Sequence, residues 1–218
     1  MFDYIVVGAG SAGCVLASRL TEDPATSVCL IEAGPPDRHP LIHIPLGVTW
    51  LIKHPSLNWR YWSTPQPHVA DRSVFLPRGR VLGGSSSING SIYMRGHRAD
   101  YDDWAKLGNP GWSYAEVLPY FKKLEDSEHG PSHMRGVHGP LHVSDVSKEV
   151  HPICETYLRA GEQAGLTRNL DINGSSNEGV AINQITTKNG LRASASTAYL
   201  RPAMRRTNLC VETSAHVT

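Results

Sequence analysis

Gly8, Gly10 and Gly13 in "DYIVVGAGSAGCVLASRL" carry the spacing G-x-G-x-x-G, and Glu32 follows about twenty residues later in "SVCLIEAG". These residue types suit the binding of a dinucleotide. The first glycine permits a tight turn, the second lets backbone approach a pyrophosphate, and the third lets a helix pack closely on a strand. Ser11 and Ala12 open that helix, whose unpaired N–H groups favour an anion. Glu32 stands where a carboxylate accepts hydrogen bonds from an adenosine ribose, and its charge disfavours a 2′-phosphate and hence NADP. On these residues alone the choice between NAD and FAD is open.

A second constellation is "RGRVLGGSSSING", residues 78–90. Gly/Ser-rich sequence often serves as a flexible linker. Here Arg78 and Arg80 precede the glycines, and Ile88, Ile92, Tyr93 and Met94 follow with small residues between them. Such a segment suits packing against something flat, with Gly83, Gly84 and Ser85 supplying backbone N–H groups to an anion. His129, His133, His138 and His142 invite a metal reading, but Gly130, Pro131, Gly136, Gly139 and Pro140 break any helix that would align them. A solvated loop is expected there and no metal site.

The elements that must position these residues follow from pattern. Tyr4 to Val7 read as a buried parallel strand, and a helix through Val15, Leu16 and Leu20 should end near Asp23-Pro24. Val28 to Ile31 read as a second strand. Residues 35–77 are proline-rich with few regular elements, yet Trp50, Trp59, Tyr61 and Trp62 call for burial or an interface. "SYAEVLPYFKKLE" has the capping-box spacing at Ser113 and Glu116 and an apolar stripe of Val117, Tyr120, Phe121 and Leu124, with Pro119 as a kink. "GPLHVSDV" reads as a strand with Leu141 and Val143 inward, and "PICETYLRAGEQAG" as a helix stopped at Gly165. Val180, Ile182 and Ile185 suggest a further strand, as does the alternation of Leu209, Val211 and Thr213.

Composition bounds the function. The 218 residues are 40% hydrophobic, with 21 Lys+Arg against 20 Asp+Glu and a net charge of +1. No basic block marks a nucleic-acid face. Cys14, Cys29, Cys154 and Cys210 are too scattered for a disulfide framework, which points to reduced thiols and a cytoplasmic setting. Asp3 and the glycines after it break any signal-peptide pattern, and Tyr4 to Ser18 is shorter than the roughly 20 apolar residues of a spanning helix.

The stretch "PRGRVLGGSSSINGSIYMRG", with the N-terminal motif, closely resembles the first signature of the glucose-methanol-choline (GMC) family of flavin oxidoreductases, in its bacterial choline and alcohol dehydrogenase branch. "NWRYWSTPQ", "GPLHVS", "NGLRASASTAYLRPAMRRTNL" and "VETSAHVT" extend the resemblance over essentially the whole chain. It implies an α/β fold: a Rossmann-like FAD-binding domain with the beginning of an α+β substrate domain. The implied division is 1–140 for FAD binding, with an extended arm at 35–77 and a flavin loop at 78–96. Residues 141–190 would start the substrate domain, and 191–218 would return to the FAD domain.

The resemblance implies FAD contacts at Gly8, Gly10, Ser11, Ala12, Gly13, Glu32, Ala33, Arg78, Gly83, Gly84, Ser85, Asn89, Gly90 and Val217. Ile88 stands where some members attach FAD through a histidine, so the cofactor is expected to be non-covalent. The implied reaction is oxidation of an alcohol or choline-type donor, with hydride passing to flavin N5 and oxygen or a quinone as electron acceptor. A quinone would imply peripheral association with the inner face of the membrane. The family's catalytic histidine falls beyond residue 218, so the chain is expected to be an N-terminal portion and no catalytic residue is assigned. His97 is expected to start a structural helix. A non-catalytic FAD-binding remnant is one alternative. An NAD-dependent dehydrogenase is another, but it leaves residues 78–90 without a role.

Overall fold

A computed structural model describes residues 1–218 as two compact units, Met1–Ser91 with Asn189–Thr218, and Ile92–Lys188. Compactness thus divides the chain after Ser91 and after Lys188, whereas the division expected from the resemblance, at 140 and 190, is one of function.

In the first unit β1 (Tyr4–Val7), α1 (Ser11–Leu20) and β2 (Val28–Ile31) form a strand–helix–strand unit. Strand Leu209–Glu212 joins β2 on its other side, so three parallel strands place β2 in the middle. Tyr4 and Leu209 both register with Val28. Val28, Cys29 and Leu30 are buried, as a central parallel strand requires. β1 differs from expectation. It is parallel, but as the edge strand it leaves Tyr4, Ile5 and Val7 at 52%, 64% and 63% exposure. Helix α1 stops at Leu20, three residues before Asp23.

The core beneath this sheet gathers Cys14 and Ala17 of α1, Val28 and Leu30 of β2, Leu82, Tyr199 and Leu200. Burying each of the large side chains contributes about 1.5–3 kcal/mol. Tyr199 and Leu200 lie in a short π-helical turn, Ser196–Leu200, that packs on this cluster. Burial pushes the Cys14 thiol up to about 12, and it donates to the Ala9 carbonyl as an inert part of the core. A second cluster of Ile42, Leu51, Leu57, Val81 and Ile88 ties the proline-rich arm to the glycine–serine loop. The arm holds only short turns of helix and the strand pair Tyr61–Trp62 with Phe75–Leu76. Trp50 and Trp62 stay 58% and 65% exposed, so this chain supplies no burial for them.

In the second unit, helix Arg98–Lys106 begins at His97, whose Nδ1 accepts from the Ala99 N–H while Asp100 accepts from the His97 N–H. Helix Tyr114–Leu124 has its Ser113–Glu116 capping box and contains Pro119; Tyr120 of the expected stripe is exposed. The parallel pair Glu125–Ser127 and Leu141–Val143 follows, then helix Ile153–Gln163 and, beyond its end, Gly165 at φ +90°. The strand expected at Val180, Ile182 and Ile185 shrinks to Gln184–Ile185; Val180 makes only an isolated bridge to Arg168 and Ile182 lies outside any strand.

Glu155 accepts two hydrogen bonds from Arg168 at 2.9 and 2.6 Å and one from Arg159 at 3.2 Å. These bonds, Arg168's first, lower its pKa from 4.5 to about 2. A depressed carboxylate stabilises the fold above its unfolded value and ceases to as pH falls through the folded one. The contribution is therefore present above about pH 4.5 and vanishes towards pH 2. A carboxyl ¹³C titration should place Glu155 near 2 and move it upwards in Arg168→Gln; a wild-type midpoint at 4.5 would refute the pairing.

Candidate functional site

The first strand–helix turn places three glycines for different reasons. Gly8 turns the chain at φ +93°. At Gly13 an ideal Cβ would lie 1.9 Å from the Gly8 carbonyl oxygen, so only glycine lets α1 seat against the turn. At Gly10 a Cβ would meet nothing within 4 Å, because this residue faces open space. Gly10 also caps α1 without a side-chain hydrogen bond, leaving the first-turn N–H groups of Ser11, Ala12 and Gly13 available to an anion.

Glu32 directly follows β2 and is 5% exposed. Its carboxylate accepts from the Ala9 N–H at 2.8 Å and the Gly34 N–H at 2.9 Å. Each oxygen retains a lone pair for a ligand hydroxyl. The glycine–serine loop arrives beside this turn as a short 3₁₀ helix, Gly84–Ser87. Gly84 has φ +54°, and a Cβ there would stand 2.6 Å from the Gly10 Cα. The two glycine-rich segments therefore touch backbone to backbone. The loop is tied internally: Ser85 Oγ accepts from the Gly79 N–H, Ser86 donates to the Gly83 carbonyl, and Ser87 to that of Leu82.

Gly8, Gly10, Glu32, Ala33, Gly84 and Val217 line one cleft of about 360 Å³. This is within the size range of small-molecule sites. Ser11, Ala12, Gly13 and Gly83 adjoin it through α1 and the loop. Arg78 and Ser85 do not line it; the Arg78 guanidinium donates to the Pro77 carbonyl, and its N–H to Asn58 Oδ1. Asn89 and Gly90 lie outside the cleft at the exposed end of the loop.

Among the lining residues not assigned from sequence are three aromatic ones, Trp59, Tyr61 and His216. Trp59 stacks on Tyr61 with centroids 5.7 Å apart, meets His216 edge-on at 5.5 Å, and carries the Arg80 guanidinium 5.0 Å from its ring. The cleft thus joins a helix N-terminus, a buried carboxylate and a flat aromatic wall, which fit a pyrophosphate, a ribose and a heteroaromatic base. The aromatic signal was present in "NWRYW", but nothing local joined it to His216.

The four histidines of 129–142 are dispersed. His142 Nδ1 and Nε2 lie 3.0 Å from Asp126 Oδ2 and Glu128 Oε1, and His129 lies 3.7 Å from Asp145. The His142 hydrogen bond, foremost, holds the Asp126 carboxyl below its ordinary value. No group of three His, Cys, Asp or Glu side chains is arranged to hold a metal ion.

The family model for GMC oxidoreductase matches residues 2–218. Alcohol dehydrogenase [acceptor] of Pseudomonas putida is 47% identical over 219 residues, covering 100% of this chain and 40% of that protein. Oxygen-dependent choline dehydrogenase of Sinorhizobium fredii is 47% identical over 207 residues, covering 95% and 38%. Among solved structures, pyridoxine 4-oxidase from Mesorbium loti superposes with a TM-score of 0.94 at 36% identity, over 98% of this chain and 42% of that one. An FAD-dependent oxidoreductase from Chaetomium thermophilum gives 0.87 at 34%, over 97% and 38%. The chain spans about 40% of the length of the relatives it matches.

Proposed function

Since this chain belongs to the GMC oxidoreductases, whose N-terminal domain binds FAD, we propose that it forms the cofactor-holding part of an enzyme oxidising CH–OH donors of the alcohol or choline class. The observation that carries this is the single cleft where Gly10, Glu32 and Gly84 meet. Gly8, Gly10, Ser11, Ala12 and Gly13 would hold the pyrophosphate, and Glu32, Ala33 and Val217 the adenosine against Trp59 and Tyr61. Arg78, Gly83, Gly84, Ser85, Asn89 and Gly90 would serve the rest of the cofactor. Bound FAD supplies the acceptor for hydride from the donor carbon. The chain's own residues bind and orient it, and no proton-moving group is assigned.

Attachment is non-covalent in this reading, because Ile88 is aliphatic and 3% exposed in the second core cluster. We assign 1–140 to cofactor binding, 141–190 to the start of the substrate domain and 191–218 to the return. Strand Leu209–Glu212 supports the return by pairing with β2. No helix is long and apolar enough to cross a membrane. We place the protein in the cytoplasm, with oxygen or a quinone taking the electrons, the latter at the inner membrane face. The near-neutral charge of +1 argues against nucleic-acid partners.

The test is a visible spectrum after adding FAD and desalting. Wild type should retain the flavin band, and Glu32→Ala should lose it. That substitution strips both ribose acceptors and leaves the Ala9 and Gly34 N–H groups unmet, at about 2–6 kcal/mol for the pair. Absence of the band in wild type would sink the reading. Anaerobic bleaching by choline or a primary alcohol assigns the donor, whereas a band bleached by NADH and by no alcohol would overturn the donor class.

A further inference from the structure

Arg192 lies behind the glycine–serine loop and is 3% exposed. Its Nε donates to the Ile42 carbonyl at 2.8 Å. Its Nη1 serves three acceptors on the loop: Asn89 Oδ1 at 2.8 Å, Ser91 Oγ at 2.9 Å and the Ser86 carbonyl at 3.3 Å. Nη2 is buried without a hydrogen-bond partner. Burial pushes its pKa down and no neighbouring charge offsets the effect. Arg95 and Arg135, buried as deeply in the other unit, share Glu125. Burying a guanidinium with no counterion is costly, so its hydrogen bonds must accomplish something a neutral side chain would not.

Asn89 shows what. Its Oδ1 accepts from Arg192 Nη1 and, at 3.0 Å, from the Ser91 N–H. Both lone pairs are used, and flipping the amide would set its NH₂ against two donors. The amide nitrogen is therefore held on the opposite side. Asn89 and Gly90 are exposed, and a Cβ built on Gly90 meets nothing within 4 Å, so the donors border open space. Ser91 has φ +60°, a left-handed conformation uncommon for serine, and its Oγ accepts from Arg192.

We propose that Arg192 is the positioning residue that turns the Asn89 amide nitrogen outward, so that the loop recognises a hydrogen-bond acceptor, a carbonyl oxygen or bare ring nitrogen, on the bound cofactor. The ligand half of this rests on the FAD reading above; the link between Arg192 and Asn89 does not.

The test combines FAD titration by fluorescence quenching, apo-protein melting, and NMR of ¹⁵N-asparagine-labelled protein. Asn89→Asp keeps the inward oxygen and deletes the donors. It should weaken FAD about tenfold or more while melting no lower than wild type, since a carboxylate there gains an ion pair. Arg192→Lys keeps the charge but not the fork. It should lower the order parameter of the Asn89 side-chain amide from a rigid value to below about 0.6 and weaken FAD similarly. Unchanged FAD affinity in Asn89→Asp, or an Asn89 amide as ordered in Arg192→Lys as in wild type, would overturn the proposal. If wild type binds no FAD, the functional reading falls and takes the ligand half of the proposal with it, and the amide order still decides the link to Arg192.

Discussion

Gly84→Ala will fold yet bind FAD about 100-fold more weakly, a loss of about 3 kcal/mol. Two costs combine. Gly84 sits at φ +54°, where a β-carbon is strained, and that carbon would lie 2.6 Å from the Gly10 Cα. Neither backbone can yield without separating the loop from the turn. Helix α1 and the loop would then no longer line one cleft, and a ligand spanning both would lose one set of donors. Gly108→Ala is the control, because it carries the same left-handed strain at φ +94° while its added methyl meets nothing within 4 Å, and Gly108 lies outside the segments that line the cleft. Isothermal titration of both variants with FAD decides the matter. Wild-type affinity in Gly84→Ala would show that the contact of the two segments does not shape the site.

The larger effect on stability belongs to Glu125. This residue is 0% exposed, and its Oε1 lies 2.8 Å from Arg95 Nη2 and 2.9 Å from Arg135 Nε. It also accepts from the Gly136 N–H at 2.7 Å and the Tyr93 hydroxyl at 2.9 Å. Burial pushes Tyr93 up to about 12, so this hydroxyl keeps its proton and donates. Arg135 also pairs with Asp171 at 2.7 Å, so two cations face two carboxylates. Glu125→Gln leaves one guanidinium charge uncompensated in the interior. Breaking a buried pair this way costs about 3–5 kcal/mol, or a melting point lower by about 6–20 °C for a chain of this size. Calorimetry that finds a loss under 1 kcal/mol would mean that water reaches the cluster.

The β1–α1–β2 unit was legible because each of its signals is local. A β-branched run, three glycines at fixed spacing and a carboxylate at a strand end all lie within residues 4–32. The helix start at Ser113 was legible for the same reason, since a cap and its partner are three residues apart, whereas the start at His97 came from the family resemblance. The exposure of β1 was not, because burial depends on which strands flank it rather than on its own composition. Nor was the division between Val180 and Gln184, where short apolar runs carry too few residues for periodicity to separate a ladder from a bridge.

The site divides along the same line. Gly8, Gly10, Gly13 and Glu32 were marked in the sequence as dinucleotide-binding and Gly83, Gly84 and Ser85 as donors to an anion, because close backbone approach to a phosphate favours glycine; the cofactor role of the loop came from the family resemblance. Only the tertiary structure brought Trp59, Tyr61 and His216 to one wall, set Arg192 behind Asn89, and closed two arginines on Glu125. His216 and Trp59, Arg192 and Asn89, and Arg95 and Glu125 lie far apart along the chain, and no period or spacing links them. Their geometry comes from the packing of the core, and a charge's role follows from what faces it once water is excluded.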